Sequence, residues 1–245
     1  TGLSLDRSDP EDVLDFTRYL EKQGIPVAKD KGSFQLSPEN LRCDVTEFVH
    51  GYQKLRPRDL DDTELKDMAH VFARLHLASL PYQPRSPIHL SDKSRKLPCG
   101  MIHMDYKPAN LIFDPETHRV KAVLDFEFAR FHSFAYDIAR TLAKGFFDVK
   151  LDEKGVSVDF DEKTTKTFLN EYHKVRPLSR DEARAINKYL SECLCHKLKD
   201  TNLRAGSPLS EEALDTEIRE TIIPALLQFN AENILKTNEK KVRML

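Results

Sequence analysis

The stretch that decides the fold is Gly100–Leu142, GMIHMDYKPANLIFDPETHRVKAVLDFEFARFHSFAYDIARTL. Two short apolar runs, Leu111–Phe113 and Val120–Phe126, flank Asp114-Pro115-Glu116-Thr117-His118, a turn-forming sequence that folds them into a hairpin. The loop ahead of the first run carries His103, Asp105 and Asn110, and the second run ends in Leu124-Asp125-Phe126-Glu127. A hairpin returns the chain to where it left, so Asp125 is expected beside Asn110, and the short loop from Asp105 to Asn110 lets both face one cleft. A carboxylate and an amide oxygen are hard donors of the kind that hold Mg²⁺. Just beyond, Tyr136-Asp137-Ile138-Ala139 opens a helix.

His-x-Asp-x-x-x-x-Asn followed by Asp-Phe-x has the spacing of a phosphoryl-transfer loop and its metal motif. In that reading His103 braces the loop backbone and does not titrate. On these residues the stretch resembles the aminoglycoside phosphotransferase and choline kinase superfamily, and within it most closely the homoserine kinase and hydroxylysine kinase branch. Leu20–Val27 looks like the end of the family's N-lobe helix. Val45–Gly51 resembles its last N-lobe strand and hinge, Phe72-Ala73-Arg74-Leu75-His76 its Leu-Ala-x-Leu-His helix, and Tyr172–Leu178 a tyrosine-containing turn before a late helix.

The resemblance implies an α+β, protein-kinase-like fold of two lobes. Residues 1–50 would form an incomplete, small β-containing N-lobe, with a hinge near 47–51, and residues 51–245 a mainly helical C-lobe. It implies Asp105 as catalytic base, Asn110 and Asp125 as Mg²⁺ ligands, and His103 and Asp137 as structural supports. The backbone of Glu47 and Val49 would receive the adenine of ATP. The acceptor would be a hydroxyl of a small molecule: an amino acid, an amino alcohol or an aminoglycoside-like compound. Met104 departs from the glycine usual between the His and the Asp, whereas Glu127 has counterparts among choline-kinase-like members. Neither a glycine-rich loop nor a Val-Ala-Ile-Lys-like strand precedes the first helix, so the front strands and their lysine are expected either to lie upstream or to have been lost. Asp12 and Asp15 are the candidates for the helix acid that such a lysine would pair with.

Outside the decisive stretch, Pro10–Lys22 reads as a helix with Asp9 as N-cap and Gly24 as stop. Ser33–Leu36 and Leu41–Val49 read as strands around a Ser37–Asn40 turn. A second helix starts at Asp62 or Thr63, with Leu65, Met68, Ala69, Phe72, Leu75 and His76 on one face. Pro81–Pro98 reads as a loop. Tyr136–Phe147, Glu162–Lys174, Ser179–Lys199 and Ser210–Lys236 read as helices, Leu151–Phe160 as a strand or hairpin turning at Gly155, and Lys236–Leu245 as a charged, fraying tail.

A net charge of -2 gives no electrostatic reason to expect nucleic acid or an anionic membrane. No apolar run approaches the roughly 18 residues a membrane span needs. Cys43, Cys99, Cys193 and Cys195 have no framework spacing, which points to a reduced, cytoplasmic setting. Cys193, Cys195 and His196 lie on a helix where residues two apart diverge, which argues against a metal site. The acidic stretch Asp148–Glu162 is interleaved with lysines and reads as a solvated face. Only eleven residues separate Asp125 from Asp137, too few for the activation segment of a protein kinase. A kinase-like binding or regulatory module without turnover is the alternative, resting on the missing front strands.

Overall fold

The computed structural model describes residues 9–36, 41–86, 96–152 and 155–204, together with Ser210, Ala213 and Thr216. The Ser37–Asn40 turn, most of the helix expected over Ser210–Lys236, and the tail lie outside the described residues.

Helix α1, Pro10–Lys22, opens with Asp9 accepting the Glu11 N–H at 2.9 Å and with Pro10 in the first turn, where a missing N–H costs nothing. It buries Phe16 and Leu20, and Gly24 leaves it at φ +72°. The hairpin of β1 (Asp30–Leu36) and β2 (Leu41–Thr46) follows. Its first strand begins three residues earlier than the sequence suggests. The second stops at Thr46, not Val49: β1 offers no partner before Asp30, and only the Glu47 N–H to Lys29 carbonyl bond, 2.8 Å, extends the ladder.

Helix α2, Asp62–Ser79, has a reciprocal cap, with Glu64 N–H donating to Asp61 Oδ1 at 2.9 Å and Asp61 N–H to Glu64 Oε2 at 2.6 Å. Its expected face is buried, Phe72 stacking on Tyr106 at 4.3 Å between ring centroids. Burial of each such aromatic contributes about 1.5–3 kcal/mol.

Two antiparallel pairs then frame the decisive stretch. Strand β3 (Cys99–Ile102) pairs with β6 (Arg130–Ser133), and nested between them β4 (Leu111–Phe113) pairs with β5 (Val120–Val123). Nesting sets the link 103–110 beside the link 124–129, and the Leu124 N–H donates to the Asn110 carbonyl at 2.9 Å. The connector from the N-terminal hairpin reaches the same place, Tyr52 bridging Phe113 through bonds of 3.0 and 2.8 Å. Gly51 is needed there, because a Cβ would collide with Ile112 Cγ2 and the Phe113 carbonyl.

Helix α3 spans Phe134–Thr141 and widens into a π-turn over Leu142–Phe146, where the sequence suggests one regular helix to Phe147. A hairpin, β7 (Phe147–Asp152) with β8 (Gly155–Phe160), helix α4 (Glu162–Val175) and helix α5 (Arg180–Arg204) complete the order. The hairpin starts earlier than expected, and Gly155 is the first residue of β8, paired with Asp152. The architecture is α+β: one core of Phe72, Ile138, Leu142, Phe168, Tyr172 and Ile186 runs through the helical part, and α1 and β5 join it through Phe16 and Val123. Among the described residues, no helix is long and apolar enough to cross a membrane.

Candidate active site

The loop after β3 is held in an unfavourable backbone conformation. Met104 has φ +71°, the left-handed region that glycine enters freely and a side-chain-bearing residue enters at a cost of about 1–2 kcal/mol. Asp137 of α3 secures it by accepting the Met104 N–H at 2.8 Å and the His103 N–H at 2.9 Å. One turn on, Arg140 Nε donates to the Met104 carbonyl at 3.0 Å. The methionine side chain is buried against Ile102 and Phe134, which explains how a residue larger than glycine is retained.

His103 is buried, and its partners define its state. Its Nε2 meets the Leu124 carbonyl at 2.9 Å, so it carries the proton, and its Nδ1 accepts the Asp105 N–H at 3.2 Å. Burial pulls its pKa below the ordinary value, consistent with a neutral ring. His103 thus ties the loop to the residue before Asp125.

Asp105, Asn110 and Asp125 converge. The Asn110 Nδ2 donates to the Asp105 carbonyl at 2.9 Å, to Asp105 Oδ2 at 3.0 Å and to Asp125 Oδ2 at 3.2 Å. The amide nitrogen is thereby committed, and the amide oxygen is left as an acceptor. Asp125 is exposed, sits at φ +64°, and lines a cavity of about 980 Å³ whose other walls include Val13, Thr17, Val27, Thr46 and Phe126. An exposed carboxylate beside an amide oxygen is a donor set that fits Mg²⁺.

Two lysines flank Asp105. Lys107 Nζ is 2.7 Å from Oδ2, and Lys144 Nζ is paired with Oδ1. Burial pushes the Asp105 carboxyl up, but the two ammonium groups outweigh it and hold the pKa below the usual carboxylate value. Burial likewise draws Lys144 below its ordinary value, with Asp105 opposing.

Behind the loop lies a buried polar chain. Asp137 also accepts from His76 Nε2 at 3.1 Å, His76 Nδ1 accepts from the Tyr172 hydroxyl at 2.6 Å, and Arg176 joins Tyr172 at 3.2 Å and Glu182 at 2.6 Å. Burial raises the Asp137 pKa, but its hydrogen bond to His76 and the donors around it bring it net below the usual value.

Other candidates are placed elsewhere. Glu47 and Val49 are half-buried just past Thr46, the strand residue on the cavity wall. Asp12 accepts the N–H groups of Arg85 and Ser86 at 2.8 and 3.1 Å, and Asp15 pairs with Arg85 and Arg18. The cluster of Asp61, Glu64 and His118 belongs to the start of α2, where Glu64 already receives Tyr52, Lys54 and the Asp61 N–H. Burial pushes the Cys193 thiol up to about 11, so it stays protonated. Sequence reasoning missed Lys144 and Arg140. The available signal was their spacing from Asp137, seven residues on for Lys144 and three for Arg140, which is one stripe of a helix.

The description phosphotransferase enzyme family belongs to the family model that matches residues 37–178, more than half of the chain. A homoserine kinase of Caulobacter sp. (strain K31) is 28% identical over 222 residues, covering 74% of this chain and 66% of the relative's own length. Amicoumacin kinase hAmiN, solved with AMP-PNP, Ca²⁺ and Ami, superposes with a TM-score of 0.59 at 16% identity, covering 90% of this chain and 78% of that one. The microcompartment-associated aminopropanol kinase gives 0.58 at 17% identity, covering 87% and 79%. These two likenesses establish a shared, kinase-type α+β fold.

Proposed function

Since the chain belongs to the phosphotransferase enzyme family, we propose that it transfers the terminal phosphoryl group of ATP to a hydroxyl of a small molecule. The observation that carries this reading is the convergence of Asp105, Asn110 and Asp125 through one amide nitrogen, at 3.0 and 3.2 Å from the two carboxylates. In it, Asp105 accepts the hydroxyl proton as the acceptor oxygen bonds to phosphorus and ADP departs with the bridging oxygen. Mg²⁺ held by Asp125 and the Asn110 amide oxygen would neutralise charge on the nucleotide phosphates. His103 and Asp137 keep the loop in register, and the backbone of Glu47 and Val49 receives the adenine. The relatives named as homoserine kinases make a short hydroxylated amino acid the first acceptor to test, ahead of amino alcohols and aminoglycosides. The four free cysteines suit a reducing cytoplasm.

The test is ADP release with Mg·ATP and a panel of these acceptors. Asp105→Asn should lower turnover by ~10²–10⁴ with little change in nucleotide affinity. Asp125→Asn should abolish Mg²⁺-dependent nucleotide binding. Full activity in Asp105→Asn would remove it from the chemistry.

A further inference from the structure

Asp105 has room for an acceptor on one oxygen only. Its Oδ2 already takes two donors, Lys107 at 2.7 Å and Asn110 Nδ2 at 3.0 Å, which fills the two lone-pair directions of that atom. Oδ1 takes Lys144. The donors on both oxygens, Lys107 and Asn110 on one and Lys144 on the other, hold the carboxylate in this orientation. A hydroxyl activated by Asp105 must therefore come within about 2.6–3.2 Å of Oδ1. There it shares the oxygen with the Lys144 ammonium. Two groups bound to one carboxylate oxygen lie within roughly 6 Å of each other at the very most, since each is about 3 Å from it. The hydroxyl oxygen is the atom to which the phosphoryl group becomes bonded, so the ammonium stands beside the transferring group.

Lys144 is built for that place. It is one-third exposed, so it reaches solvent and any ligand there. Of its three N–H directions one meets Asp105, and among the described residues no other hydrogen-bond acceptor takes the remaining two. Lys197 pins the turn that carries it, donating to the carbonyls of Ala143 and Phe147 at 2.9 and 2.5 Å.

We propose that Lys144 is a catalytic residue that donates to the transferring phosphoryl oxygens while its neighbour Asp105 takes the acceptor proton. This inference rests on the phosphotransferase reading above. Charge in phosphoryl transfer spreads over the equatorial oxygens, and a cation fixed beside them stabilises it without reorganisation.

The experiment compares binding of Mg·AMP-PNP and Mg·ADP by calorimetry in the wild type, Lys144→Met, Lys144→Gln and Lys144→Arg, alongside turnover. The wild type should prefer Mg·AMP-PNP. Both neutral variants should lose that preference by about tenfold with Mg·ADP affinity unchanged, and kcat should fall about 10²-fold. Lys144→Arg should retain the preference. Circular dichroism identifies a variant that fails to fold, and the other neutral variant then decides. A wild type without the preference, or neutral variants that keep it, would overturn the assignment of Lys144 alone. A wild type that binds neither nucleotide would overturn the phosphotransferase reading and this inference together.

Discussion

His132 is packed between Tyr136, at 4.4 Å between ring centroids, and Tyr189, and its Nδ1 accepts the Ser133 N–H at 2.9 Å. Burial first, and the Arg130 charge second, pull its pKa down from 6.5 to about 4. As pH falls through that window the unfolded chain takes up a proton that the folded chain refuses, so stability falls with it. Thermal melts should therefore drop between pH 6.5 and about 4, and His132→Phe should flatten that part of the slope. A slope as steep in the variant would assign the acid sensitivity to other groups. Residues of this kind were not legible in the sequence, where His132 is one of several scattered histidines. Asp105, Asn110 and Asp125 were legible because a loop and a tight hairpin fix their meeting locally. Met104 was legible only as a departure from glycine, and its cost is the left-handed φ.

At the scale of elements, α3 grips the loop 103–110 along one stripe. Asp137 takes the N–H groups of His103 and Met104, Arg140 takes the Met104 carbonyl, and Lys144 takes the Asp105 carboxylate. Periodicity predicted the helix but not its widening at Leu142–Phe146, nor the four-residue strands β3 and β6, too short to show an alternation. The π-turn frees the Ala143 carbonyl that a regular helix would use. Its partner, the Lys197 ammonium, also meets the Phe147 carbonyl at the start of β7 and comes from α5 some fifty residues further on. No local pattern can announce that donor. Lys197→Met keeps most of the side-chain length and removes the donor, so it should destabilise the fold by about 1–3 kcal/mol, the cost of leaving buried acceptors unpaired. Urea unfolding monitored by circular dichroism measures this. A midpoint equal to wild type would mean that water satisfies the Ala143 and Phe147 carbonyls equally well.

Across the whole molecule, the least legible features are contacts between elements distant in sequence. Asp12 accepts the backbone N–H groups of Arg85 and Ser86, more than seventy residues away, contacts that no pattern on α1 announces. The chain of Glu182, Arg176, Tyr172, His76 and Asp137 likewise links α5 and α4 through α2 to α3, and from there to the loop 103–110. Arg176 and Glu182 are 5% and 3% exposed, and the guanidinium also lies 4.7 Å from the Phe134 ring centroid. A charge pair buried this deeply is stabilised by each partner satisfying the other, and removing one leaves the other uncompensated. Arg176→Met should therefore cost about 3–5 kcal/mol. Glu182→Leu should cost a comparable amount, since it strands the arginine and also removes the carboxylate that accepts the Ser179 N–H at 3.0 Å. The double variant replaces the pair with apolar side chains and should be more stable than the sum of the two single losses predicts, by at least 1 kcal/mol on the order of typical coupling energies. Strict additivity in a urea-unfolding cycle would show that the two residues act independently, and the link from α5 to the loop 103–110 would then break at Arg176.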